Sequence, residues 1–121
     1  MSHAFATSAG TVAVPYGFSS PVTVESLAVP AGSYVVWATG QANQLMGSDD
    51  YATCTLSGNG TIATQAMKPN SDMVAGYALT GVTTMPSGGT ITLSCIGDYS
   101  SSYGPLVENN SLDAIQVNAI N

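Results

Sequence analysis

Short runs of alternating apolar and hydroxyl residues, separated by glycine- and proline-rich turns, recur along this chain. Alternation of period two places one set of side chains on each face of an extended strand. The first run is Ala4 to Val14, ended by Pro15-Tyr16-Gly17, and the second is Val22 to Ala28. After the turn Pro30-Ala31-Gly32, the strongly apolar stretch Ser33 to Gln41 predicts a third strand, followed by a polar loop from Gln44 to Asp50. Tyr51 to Ser57 and Thr61 to Ala66 flank Gly58-Asn59-Gly60, and an Asn-Gly pair between alternating runs is a strong hairpin signal. A loop over Met67 to Asp72 leads into Met73 to Val82, with Met73, Ala75, Tyr77 and Leu79 on one face. Pro86-Ser87-Gly88-Gly89 turns into Thr90 to Gly97, a Ser/Tyr loop covers Asp98 to Gly104, and Leu112 to Ile120 closes the chain. About eight strands and no helical periodicity predict an all-β antiparallel sandwich or barrel, one domain over residues 1–121.

Two of these runs carry the cysteines. In Ala52-Thr53-Cys54-Thr55-Leu56 and Thr90-Ile91-Thr92-Leu93-Ser94-Cys95, cysteine shares the apolar face and hydroxyl residues take the other. Cys54 and Cys95 therefore both point inward. On neighbouring strands they can bridge if their Cα atoms lie within about 4.4–6.8 Å. Two buried thiols are the alternative. A disulfide would close a loop of about 40 residues, worth roughly 4 kcal/mol on the chain-entropy scale.

Composition narrows the partners. Charged residues make up 7% of the chain, well under the ~25% usual for soluble domains. Ser, Thr, Asn and Gln must solvate the surface instead. So little charge also suits burial against another copy, because interface cores are depleted in charged residues. Lys68 is the single basic residue against seven acids, for a net charge of −6. Nucleic-acid binding needs several cations to displace phosphate counterions, so it is excluded, and an anionic membrane surface is disfavoured. No apolar run approaches the ~18 residues of a membrane helix. Met1 to Gly10 lacks the basic start and apolar centre of a secretory signal peptide, so the chain reads as an excised domain or one exported by another route. Asn59-Gly60-Thr61 and Asn109-Asn110-Ser111 match the glycosylation pattern, although the hairpin already accounts for the first.

The order of elements resembles the jelly-roll superfamily of tumour necrosis factor and the complement globular head. The resemblance rests on an opening strand with Ala4-Phe5, on Val29-Pro30-Ala31-Gly32-Ser33-Tyr34 entering an apolar strand, on Gly88-Gly89-Thr90-Ile91-Thr92-Leu93, and on a closing Leu112-Asp113-Ala114-Ile115-Gln116-Val117. It is nearest to bacterial members, some capping collagen-like stalks or fibres and others acting as trimeric lectins. It implies a jelly-roll β-sandwich and a homotrimer with one open face packed around a threefold axis. A carbohydrate-binding-module-type or immunoglobulin-like sandwich is the structural rival. Superfamily lectins that bind sugar between subunits use arginines there, and this chain has none, so none of their binding residues carries over.

Candidate chemistry points away from catalysis. The only histidine, His3, lies at the terminus, and no Ser-His-Asp or Cys-His set can be assembled, so the chain reads as a non-enzyme without a cofactor. Zinc would want more His or Cys ligands. Asp49-Asp50 is the only adjacent acidic pair and a candidate calcium loop that Asp98 and Glu108 would join if the fold brought them together. Trp37 shares a face with Val35 and Thr39, opposite Tyr34, Val36 and Ala38, so it packs against core or a second subunit, or offers a sugar ring a stacking platform. Tyr51, Tyr99 and Tyr103 are further surface aromatics, the last two within Tyr99-Ser100-Ser101-Ser102-Tyr103. Tyrosine among hydroxyls suits adaptable recognition. The resulting expectation is an extracellular or surface-exposed trimeric module binding a small carbohydrate through Trp37, Asp49, Asp50, Tyr51, Tyr99 and Tyr103. The alternative is a purely structural trimerisation cap on a bacterial or phage fibre.

Overall fold

The computed structural model describes residues 3–14, 20–43, 52–67, 74–97 and 106–117. The expected loops at 44–50, 68–72 and 98–104 lie outside them. The described residues form nine strands: β1 Ala4–Ala9, β2 Val12–Ala13, β3 Val22–Val29, β4 Gly32–Asn43, β5 Ala52–Gly58, β6 Gly60–Met67, β7 Ala75–Met85, β8 Gly89–Gly97 and β9 Leu106–Val117. No helix occurs among them. One sheet runs β1-β9-β4-β7, with β2 also on β9, and the other runs β3-β8-β5-β6. Every strand pair is antiparallel.

Topology separates the jelly roll from its rival. From β2 onward the chain changes sheet at every connection except the β5–β6 hairpin. An immunoglobulin sandwich keeps several successive strands within one sheet. Here the chain instead wraps back and forth around the core, as in a jelly roll. That core is the two inner faces meeting: Tyr34, Val36, Leu79 and Leu112 from one sheet, Leu56, Ile91 and Leu93 from the other, all 3% exposed or less.

The predicted strands hold in type and shift in extent. The opening run breaks at Gly10 into β1 and β2. The run predicted over Met73 to Val82 continues to Met85, because Thr83 and Met85 keep the inward alternation. The last strand starts at Leu106, six residues before the predicted Leu112. Its polar opening, Glu108-Asn109-Asn110, hides the strand because it contains a bulge. Thr39 pairs with Ser111 and Gln41 with Glu108, so Asn109 and Asn110 together oppose Gly40. Asn109 takes a left-handed φ of 54°, which asparagine tolerates better than most residues. The bulge turns Asn110 inward, where it is 2% exposed. It accepts from the Tyr77 hydroxyl at 2.5 Å and donates to the Gly10 carbonyl at 3.0 Å, satisfying the backbone at the β1–β2 break. Gly40 is required here, since a Cβ on it would sit 2.5 Å from the Tyr77 ring and hydroxyl.

Cys54 and Cys95 sit directly opposite each other on β5 and β8, both fully buried, and form a disulfide with a Cα–Cα distance of 4.1 Å. That spacing is slightly under the expected window and close to the ~4.5 Å of a non-hydrogen-bonded antiparallel pair. The Pro-x-Gly-x-Tyr motif also gains a physical account. The Tyr34 hydroxyl donates to the Pro30 carbonyl at 2.7 Å, folding the turn back over the start of β4. Its ring meets Phe5 edge-on, with centroids 6.1 Å apart, which ties the opening strand to β4.

Candidate functional site

The most distinctive surface lies on the outer face of the β1-β9-β4-β7 sheet. Strand β4 alternates strictly: Tyr34, Val36 and Ala38 are fully buried, and Val35, Trp37 and Thr39 point outward. Register extends that alternation across four strands. Val82 of β7, Val35 of β4, Ile115 of β9 and Ala4 of β1 stand in one row. The next row is Thr80, Trp37, Asp113 and Ala6. Val82 is 51% exposed and Ile115 38% exposed, although each is a large apolar side chain next to Val35. Apolar neighbours in one row form a continuous patch, unlike scattered single hydrophobics. The rows beyond it turn polar. Thr39 and Ser111 share a hydroxyl hydrogen bond at 2.8 Å, and Gln41 donates to Glu108 at 3.0 Å. At the other end, Ser33 and Thr84 hydroxyls lie 3.1 Å apart and, with Gln116 and Pro86, line a shallow cleft of about 320 Å³. The patch is thus an apolar strip with hydrogen-bonding borders and two carboxylates, Asp113 beside the indole and Glu108 in the row of Gln41.

Trp37 is the one expected ligand-binding residue within the described part of the chain, and it is half-buried on this outer face. Asp49, Asp50, Tyr51, Tyr99 and Tyr103 lie outside the described residues, as does Asp98 of the calcium expectation. Glu108 is described, and Gln41 engages its carboxylate. Among the described residues, no three His, Cys, Asp or Glu side chains cluster as a metal site would require. No helix of the described residues is long and apolar enough to cross a membrane.

Glu25 is the chemically unusual residue that the sequence reading passed over. It sits on β3 with 5% exposure, and neither carboxyl oxygen has a hydrogen-bond partner among the described residues. A bulge puts it there. Thr23 pairs with Ser94 and Glu25 with Leu93, leaving Val24 as an extra residue, and the strand changes phase. Desolvation, reinforced by the charge of Asp113, pushes its carboxyl up from about 4.5 to about 7. Burial likewise raises the Tyr77 hydroxyl, with a smaller contribution from Glu25. The signal was in the sequence: the apolar positions run Val22, Val24, then Leu27, Val29, so the period slips by one across Glu25-Ser26.

No protein-family model matches the chain, and no curated protein does. Solved structures match its fold. The VP2 protein of the infectious bursal disease virus subviral particle superposes with a TM-score of 0.64 at 13% identity, over 95% of this chain and 32% of its own. The chain thus spans about a third of that capsid protein. The tumour necrosis factor Eiger of S. frugiperda gives a TM-score of 0.59 at 12% identity, over 98% of this chain and 94% of its own. Murine APRIL gives 0.54 at 12% identity, over 97% and 100%. At these identities the likeness concerns fold, and the fold is a jelly roll of the tumour necrosis factor type.

Proposed function

We propose that this chain is a non-catalytic self-associating module, three copies of which pack through the outer face of the β1-β9-β4-β7 sheet. The observation that carries the reading is the row Val82, Val35, Ile115 and Ala4, left partly open to solvent beside Trp37. Leaving such a strip in water costs about 25 cal/mol for each Å² that association would cover. A second copy is the occupant that fits, because the strip is charge-poor on a protein whose own surface is charge-poor throughout. The three-copy geometry follows from the superfamily resemblance. In such an assembly the chain serves as the trimerising cap of a longer fibre or particle. The disulfide supports an oxidising setting, outside the cytosol or at a surface.

Sedimentation equilibrium at micromolar concentration tests this reading. The expected mass is that of three chains, and Val82→Lys with Ile115→Lys should bring it to one, with the β-type far-ultraviolet spectrum kept. A wild-type mass of one chain overturns the proposal.

Small-carbohydrate binding is the second reading. It is favoured by the flanking of the Trp37 indole in its row by the Thr80 hydroxyl and the Asp113 carboxylate, an apolar plane between polar groups. Loop residues Asp49, Asp50, Tyr51, Tyr99 and Tyr103 complete that candidate set. The two readings compete for one side chain. A monosaccharide that quenches Trp37 fluorescence in the intact assembly favours the lectin; an indole indifferent to sugar but shifted by Val82→Lys favours the cap.

A further inference from the structure

The opposite face of the molecule carries a different pattern, on the outside of the β3-β8-β5-β6 sheet. Thr64, Thr55, Ser94 and Thr23 stand opposite one another across the four strands. Thr61, Ser57, Thr92 and Ser26 form the adjacent row. All eight are exposed or half-buried, and the residues alternating with them on the two central strands, Cys54, Leu56, Leu93 and Cys95, are fully buried. Thr53 and Thr90 prolong the pattern along β5 and β8, and only Ala28, Ala66 and Ile96 interrupt it. No ionisable side chain points outward among the described residues of this face. Neighbours within a row lie about 4.8 Å apart, and successive rows about 6.8 Å. The result is a two-dimensional array of hydroxyls on a rigid, disulfide-linked sheet.

We propose that this face binds a neutral polysaccharide, laid across the sheet as an extended chain or a crystalline surface. Three features select that partner. A charged polymer would lose hydration against a face that offers no counter-charge, so the occupant is uncharged. Each threonine presents a hydroxyl, both donor and acceptor, beside a methyl group, which matches a sugar ring with its hydroxyls and C–H faces. Threonine, five of the eight, is also restricted at χ1, so its side chain loses little freedom on binding. The Thr55 and Thr64 oxygens, 3.4 Å apart, are already within reach of a shared partner atom. Water competes for every such hydrogen bond, so one contributes little and binding requires many at once. The array therefore favours a polymer over a monosaccharide. Self-association, which uses the other sheet, is not a premise of this inference.

Co-sedimentation of the full chain with microcrystalline cellulose, chitin and an insoluble starch tests it. The expected result is depletion onto at least one of these polymers, insensitive to high salt and not competed by the corresponding monosaccharide. Thr55→Val with Thr92→Val keeps shape and strand propensity and should weaken retention by about tenfold, with the melting temperature monitored to confirm the fold. Thr39→Val, the same change on the outer face of the opposite sheet, should leave retention intact, which separates the two faces. Retention on none of the three polymers, retention abolished by salt, or retention untouched by the double valine variant each overturns the proposal. Adsorption to ice in place of the polysaccharides overturns the assigned partner.

Discussion

Glu25 shows how one residue can act against the fold that contains it. Its carboxyl, buried without a hydrogen-bond partner among the described residues, holds its proton to about pH 7, while in the unfolded chain it titrates near its ordinary 4.5. Between those values the folded state binds the extra proton. Stability from this group is therefore fully present below about pH 4.5, falls as pH rises, and levels off above about pH 7. The full span amounts to about 3 kcal/mol at most. Denaturant unfolding at pH 5 and pH 8 should show wild type losing stability at the higher pH. Glu25→Gln should remove most of that loss, because the amide has no charge to desolvate. A wild-type and variant difference that is the same at both pH values would show that Glu25 reaches solvent.

At the scale of strands, two devices hold edges and layers together. The Gln65 amide of β6 accepts from the Ala78 N–H at 3.1 Å and donates to the Gly76 carbonyl at 3.4 Å, so a side chain stands in for a neighbouring strand along the edge of β7. Exposed strand edges invite pairing with other chains, and capping them this way limits aggregation. Gln65→Ala should accelerate hydrogen exchange at the Ala78 amide about tenfold, for a loss of roughly 1.4 kcal/mol of local protection. Unchanged exchange would mean that water serves that edge equally well. The second device is the Cys54–Cys95 bridge. Thiol titration of the unfolded, unreduced protein should find no reactive thiol. Replacing both cysteines by alanine should cost up to about 4 kcal/mol of stability, since the open unfolded chain regains the freedom of the closed loop.

For the whole molecule, the two outer faces differ in character. One sheet turns an apolar strip outward and the other an array of hydroxyls, and neither carries much charge. If the strip is covered by other copies, unfolding is coupled to dissociation, and the melting temperature must rise with protein concentration. A hundredfold change in concentration should raise it by several degrees. Val82→Lys with Ile115→Lys should abolish that dependence. A melting temperature indifferent to concentration in wild type would leave the strip exposed on a monomer.

The sequence by itself determined what depends on neighbours along the chain. Alternation identified β3 through β8 within a few residues, Gly58-Asn59-Gly60 marked the hairpin, and the shared phase of Cys54 and Cys95 with the apolar face anticipated both pointing inward. It also separated Trp37 from Tyr34, Val36 and Ala38, since period two fixes opposite faces without reference to the rest of the fold. Tertiary structure alone decided which strands lie side by side. Val82, Val35, Ile115 and Ala4 are far apart in sequence and meet only through the order β1-β9-β4-β7, and the eight hydroxyls of the opposite sheet form rows by the same route. The bulges at Val24 and at Asn109-Asn110 also belong to the fold, because an extra residue in a strand is defined only against the partner it skips. For that reason the buried link from Tyr77 through Asn110 to Gly10 could not be read from either strand alone, whereas the slip from Val22 and Val24 to Leu27 and Val29 marked the change of phase at Glu25 without its partner strand.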